Sequence, residues 1–122
     1  MSKDAYGSSP LIVAVTFGKT EVARALIDTG ADMKITNNGG STPLHIAALL
    51  CRTEIVDALL NNGADKNVLN KAGRTALETV AGPFDDFKGI YDRIGKDLRP
   101  LGLKLDYERI KSTRPRIAEM LR

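Results

Sequence analysis

The stretch Gly40-Ser41-Thr42-Pro43-Leu44-His45-Ile46-Ala47-Ala48 reads as a turn running into a helix. Thr42 can cap that helix by accepting a backbone N–H, and Pro43 stands at the first helical position, where no donor is lost. Leu44, Ala47 and Ala48 share one narrow apolar face, and the small alanines let a neighbouring helix approach closely. Downstream, Ile55, Val56, Leu59 and Leu60 recur at helical spacing, and Gly63 follows as a left-handed C-terminal cap. Asp65 through Ala72 then reads as an extended finger leading to a second Gly-x-Thr at Gly73-Arg74-Thr75.

Moving outward, the same pattern returns every 33 residues. Gly7, Gly40 and Gly73 coincide, as do Asp4, Asn37 and Asn70. Pro10 falls on Pro43, Leu11 on Leu44 and Leu77, and Glu21 on Glu54. Leu26-Ile27 meets Leu59-Leu60, and Gly30-Ala31-Asp32 meets Gly63-Ala64-Asp65. A period of this length is the mark of a stacked repeat protein.

In these residues the chain resembles the ankyrin family. Gly40 to Ala48 carries that family's Thr-Pro-Leu-His signature, Gly63-Ala64-Asp65-Lys66-Asn67 its closing turn, and the likeness covers roughly residues 4–81. The resemblance implies an all-α solenoid of about three helix-turn-helix repeats with β-turn fingers and a C-terminal helical cap. One domain over residues 1–122 is expected, with repeats at about 4–36, 37–69 and 70–98 and a cap at 99–122. Finger tips and first helices would line a concave face.

Both ends depart from the pattern. The first unit runs Pro10-Leu11-Ile12-Val13-Ala14-Val15, apolar for the terminus of an array, with Ile12 where the middle unit has His45. One or two of these side chains are expected to stay exposed unless a preceding repeat or a second copy covers them. The two readings stand side by side: a self-contained module, and the capping part of a longer array. The third unit breaks at Gly82-Pro83, where proline disfavours helix in the residue before it. Beyond it, Phe84, Phe87, Tyr91, Ile94 and Leu98 make an amphipathic stripe. A shift of 35 residues lays Ile90 on Ile55 and Ile94 on Leu59, so this stripe is expected to be the third unit's second helix. Pro100 and Gly102 mark a loop, Asp106 starts a short helix over 107–111, and Thr113 caps a last one over 114–121.

Composition sets bounds. The chain has 122 residues, 43% of them hydrophobic and 27% charged, which suits one globular domain. Three Phe, three Tyr and no Trp favour stacked helices over a sheet sandwich. The single Cys51 cannot form an internal disulfide, and no run reaches the ~18 apolar residues of a membrane span. The first residues do not lead into a signal-peptide pattern, so a cytoplasmic location is favoured over export.

Catalytic groups are scarce. His45 is the only histidine, and with one thiol it cannot make a zinc set or a nucleophile–base pair. No catalytic residue, metal or cofactor is expected, and the family likeness implies that His45 hydrogen-bonds within its repeat turn. Cys51 stands where the first unit has Gly18, a position suited to positive φ, so slight backbone strain is expected. Arg52 beside it could favour a reactive thiolate, although drift at a turn position is the simpler reading.

Residues 1–83 carry eight Lys/Arg and eight Asp/Glu, so the whole net charge of +3 lies in residues 84–122. There Arg109, Lys111, Arg114, Arg116 and Arg122 face only Glu119. Such a cluster can bind an anionic surface, yet a solvated helix face gives the same count. Aromatic–basic interleaving for base stacking is missing, and no nucleic acid or membrane partner is expected. Another protein is. The family geometry implies that Thr16, Phe17, Asn38, Gly39, Ser41, Leu49, Leu50, Lys71, Ala72 and Arg74 line the partner-binding groove. An exposed Phe17–Leu50 pair beside Arg74 would be a plausible anchor, and packing of the two against each other is the alternative.

Overall fold

A computed structural model describes residues 9–122, and Asp4 and Gly7, on which the start of the first unit was aligned, lie outside them. Six α-helices follow in order: α1 Pro10–Thr16, α2 Thr20–Asp28, α3 Pro43–Leu49, α4 Thr53–Asn61, α5 Lys88–Leu98 and α6 Tyr107–Leu121. Short 3-10 turns occupy Leu77–Thr79, Phe84–Asp86 and Arg99–Leu101, and no strand occurs among the described residues.

The inner helices start as their sequences dictate. Ser9 caps α1 by accepting from Ile12 N at 3.3 Å, and Thr42 caps α3 by accepting from His45 N at 3.3 Å. Each is followed by a proline at the first helical position. In the second unit His45 returns the bond, its Nδ1 accepting from Thr42 N at 3.2 Å. Helices α1 and α2, α3 and α4, α1 and α3, and α2 and α4 pack in pairs, which is the stacking that the repeat demands. Leu44, Ile55, Val56 and Leu59 fill the shared core, each contributing roughly 1.5–3 kcal/mol by leaving water.

Turns between inner and outer helices need a left-handed residue. Gly18 supplies it in the first unit (φ +68°), and Cys51 takes the same backbone shape in the second (φ +57°) as a non-glycine, so the expected strain is present. Arg52 then reaches back to the end of α1, donating Nε to Val15 O at 3.2 Å and Nη2 to Thr16 O at 2.7 Å. Thr16 O, at the last residue of α1, gains a donor that the helix cannot supply, and Val15 O gains a second beside Gly18 N at 3.1 Å.

The third unit is where expectation and structure part. Thr75 and Glu78 form a reciprocal cap, Thr75 N donating to Glu78 Oε1 at 2.9 Å and Glu78 N donating to Thr75 Oγ1 at 3.3 Å. The inner helix it opens lasts only for the 3-10 turn Leu77–Thr79. Gly82-Pro83 lies too close to allow more. The stripe helix α5 does form, but it does not stack on α4. Helix α6 does, packing against α3, α4 and the Leu77–Thr79 turn. Its Arg109 donates to Leu50 O at 2.9 Å and Cys51 O at 2.8 Å, doing for α3 what Arg52 does for α1. Ile90 and Ile94 therefore do not occupy the places of Ile55 and Leu59: they are half-buried, whereas the latter are fully buried. The chain leaves the stack after Val80, builds α5, and returns as α6.

Helix α6 is also continuous, not two short helices capped at Thr113. Asp106 caps it by accepting from Arg109 N at 3.1 Å. Ile110, Arg114, Ile117 and Leu121 then bury one unbroken side. Pro115 lies on the exposed side, and burial of the opposite side holds the helix through it.

The first helix differs too. Leu11, Ile12 and Val15 are buried, Ile12 completely at 0% exposure, and Val13 is half-buried, so none of the four stands exposed as expected. Helix α1 contacts both α2 and α3, and so short a helix has little outward surface left.

Candidate functional site

Two fingers present the same built turn. Asn37 Oδ1 accepts from Gly39 N at 2.9 Å and Ser41 N at 3.1 Å, while Asn37 N donates to Ser41 O at 3.0 Å. One unit later, Asn70 Oδ1 accepts from Ala72 N at 2.9 Å and Arg74 N at 3.1 Å. Asparagine does this because its carbonyl can reach backbone N–H groups two and four residues on. Lys71 N donates to Gly39 O at 3.0 Å, tying one finger to the next. A side chain on Gly40 would meet Lys71 N at 2.9 Å, at a φ of +72°, so only glycine fits there.

His45 fixes the second finger from behind. Its Nε2 donates to Arg74 O at 2.9 Å, given that Nδ1 accepts from Thr42 N. Burial pushes its pKa down, against the raising effect of backbone bonds to Arg74 and Val68. A neutral imidazole with both nitrogens committed is a brace.

The ten predicted groove residues divide. Thr16, Gly39, Ser41, Leu49 and Leu50 come together around a cleft of about 270 Å³. Asn38, Lys71, Ala72 and Arg74 stand exposed at the finger tips, outside it. Phe17 is half-buried at the end of α1 and does not line the cleft. Leu50 is 1% exposed, so the exposed Phe17–Leu50 anchor does not exist. Leu49 and Leu50 instead meet α5, and its Ile90, Ile94 and Leu98 form the opposite wall. Tyr91 locks this arrangement: its Oη donates to Leu49 O at 2.5 Å and accepts from Arg114 Nη1 at 2.9 Å. Burial pushes the Tyr91 pKa up to about 12.

Sequence reasoning missed Asn37, Ile46 and the α5 residues as cleft walls. Asn37 was visible as a repeated position, and Ile94 and Leu98 as a stripe. Which way that stripe faced was not. Arg74 keeps its expected exposure but lays its guanidinium over the Phe87 ring, 5.3 Å from the centroid. That holds it against the base of α5.

The basic cluster of the C-terminal segment disperses. Arg109 is spent on the end of α3. Arg114 is 3% exposed and donates to Thr79 O, Tyr91 Oη and Gly82 O at 2.8–2.9 Å while stacking on Phe87. Arg122 pairs with Glu119, and Lys111 lies over the Phe84 ring. Arg109 and Arg114 are thereby withdrawn from the outer face, while Arg116 stays exposed. Cys51 is buried, and desolvation raises its thiol to about 11 despite the nearby Arg109, Arg114 and Arg52. Burial and the raised pKa keep the thiol protonated at neutral pH, in line with drift at a turn position. Among the described residues no three His, Cys, Asp or Glu side chains gather as a metal site would need. A broader hollow of about 1080 Å³ lies between the end of α5 and the start of α6, with charges of both signs and none of the ten residues.

Ankyrin repeats, described as three copies, match residues 1–70 of the sequence. The chain belongs to the ankyrin-repeat family. That family consists in general of protein–protein interaction modules, typically without catalysis. No curated protein matches the sequence. In this ankyrin chain no described helix is long and apolar enough to cross a membrane. The cleft beside its fingers departs from a simple repeat stack, because one wall comes from the excursion between the third unit's inner turn and α6.

Proposed function

We propose that this ankyrin chain binds a partner protein through its finger tips and the adjoining cleft, without a cofactor. The carrying observation is that exposed Asn38, Lys71, Ala72 and Arg74 stand on turns already fixed by Asn37, Asn70 and His45. A preformed surface loses little ordering entropy on binding. Affinity capture from the lysate of the source organism tests it, comparing the native chain with the double substitution Lys71→Glu, Arg74→Glu. The expected result is a protein retained by the native chain and lost from the variant. Equal retention by both contradicts the reading.

A second role concerns the other edge of the stack. Val22 on α2 is 54% exposed, whereas Ile55, one period later, is fully buried. Leu26 is half-buried where Leu59 is fully buried. Helix α6 at the opposite end turns Glu108, Ser112, Arg116 and Glu119 outward, as a closing cap should. This supports a chain that closes an array at α6 and offers α2 to another repeat unit. In isolation, a second copy would take that place. Light scattering should show mass rising with concentration, and Val22→Glu should abolish the rise while the far-UV circular dichroism stays unchanged. A native chain that stays monomeric throughout contradicts it.

A further inference from the structure

We infer that the cleft between α5 and the fingers receives a bulky apolar side chain of a partner segment whose neighbouring residue is an aspartate or glutamate. This rests on the proposed partner binding and names the partner's chemistry. The cleft floor and walls are apolar where Ile46, Leu49, Ile90, Ile94 and Leu98 meet, and at about 270 Å³ it has room for one large side chain rather than a helix. Asn37 and Ser41 from the finger and Thr16 from the end of α1 supply uncharged polar groups on the side opposite α5. That pattern, an apolar hollow with a few oriented polar groups, is how a pocket takes one anchor and fixes its direction.

Charge supplies the second half. Among the described residues Arg93 is the only charged one of the lining, and no described carboxylate lines the cleft beside it. Asp97 lies one turn further along α5, outside the lining. No ion pair involves Arg93 among the described residues, unlike Lys88 and Asp92 on the same helix, which pair at 2.9 Å. The nearby finger tips add Lys71 and Arg74, both exposed, and Lys71 is the residue whose N–H holds Gly39 at the cleft edge. An apolar hollow with a cation in its wall and further cations on the neighbouring finger attracts an apolar anchor with acidic flanks and repels one with basic flanks. The wall that carries Arg93 belongs to α5, not to the repeats, so it would set this chain's specificity.

Selection of short random peptides displayed on phage against the full chain tests the idea. Enriched peptides should share Leu, Ile, Met or Phe next to Asp or Glu. One enriched peptide, made synthetically and followed by fluorescence polarisation, should bind about fivefold more weakly to Arg93→Glu. Replacing its acidic residue by lysine should restore binding to that variant. Ile94→Asp, at a half-buried position, should abolish binding while circular dichroism reports a folded chain. No enrichment, enrichment without acidic residues, or indifference to both substitutions overturns the inference. If it fails while lysate capture still depends on Lys71 and Arg74, the broader binding role stands without this chemistry.

Discussion

His45 and Arg114 show how single residues hold the binding face. The His45 pKa is lowered in the folded chain, so below the ordinary value of 6.5 the unfolded state takes up a proton that the folded state resists. Stability is therefore fully present above that pH and falls as pH drops through it. Urea unfolding at pH 7.5 and 5.5 should show the loss in the native chain and not in His45→Gln, since no other histidine is present. Arg114 has a different role. Its guanidinium satisfies Thr79 O, Gly82 O and Tyr91 Oη, which tie the third unit, α5 and α6 together. Arg114→Ala would leave Thr79 O buried without this donor, deprive the part-buried Gly82 O of its own, and strip Tyr91 Oη of one of its two bonds, at a cost of about 3 kcal/mol in chemical denaturation. The sequence marked His45 by its motif. Arg114 looked like one of five surface cations, because nothing local distinguishes an arginine that reaches three distant oxygens from one that faces water.

Helices α3 and α4 were legible in full: caps, proline, apolar spacing and closing glycine all agreed, and the structure follows them. Helix α5 was legible as an element and misleading as a neighbour. A shift of two residues aligned it with α4, and periodicity alone cannot say which surface an apolar stripe covers. Within α6, local rules favour a break at Thr113-Arg114-Pro115. Packing of Ile110, Ile117 and Leu121 outweighs that rule. Its cost remains, since Pro115 removes a helical donor on the exposed side. Pro115→Ala should raise stability by about 1–2 kcal/mol, read as a higher urea midpoint at unchanged slope.

At the scale of the molecule, the repeat stack ends not with the third unit's own outer helix but with α6 after an excursion. Stability in such arrays is roughly a sum of interfaces between neighbours. Removing residues 107–122 strips the cover from α3 and α4, so the shortened chain should aggregate or lose cooperative melting, where a soluble chain with the native melting curve would contradict the assignment. The same excursion gives the fingers a walled cleft, and the claim that matters most is that partners meet this side. Hydrogen–deuterium exchange on the chain alone and with its captured partner tests that directly. Protection should appear in the finger segments 37–41 and 70–74 and along α5. Protection confined to α2 or to the outer side of α6, with the fingers unchanged, would contradict it.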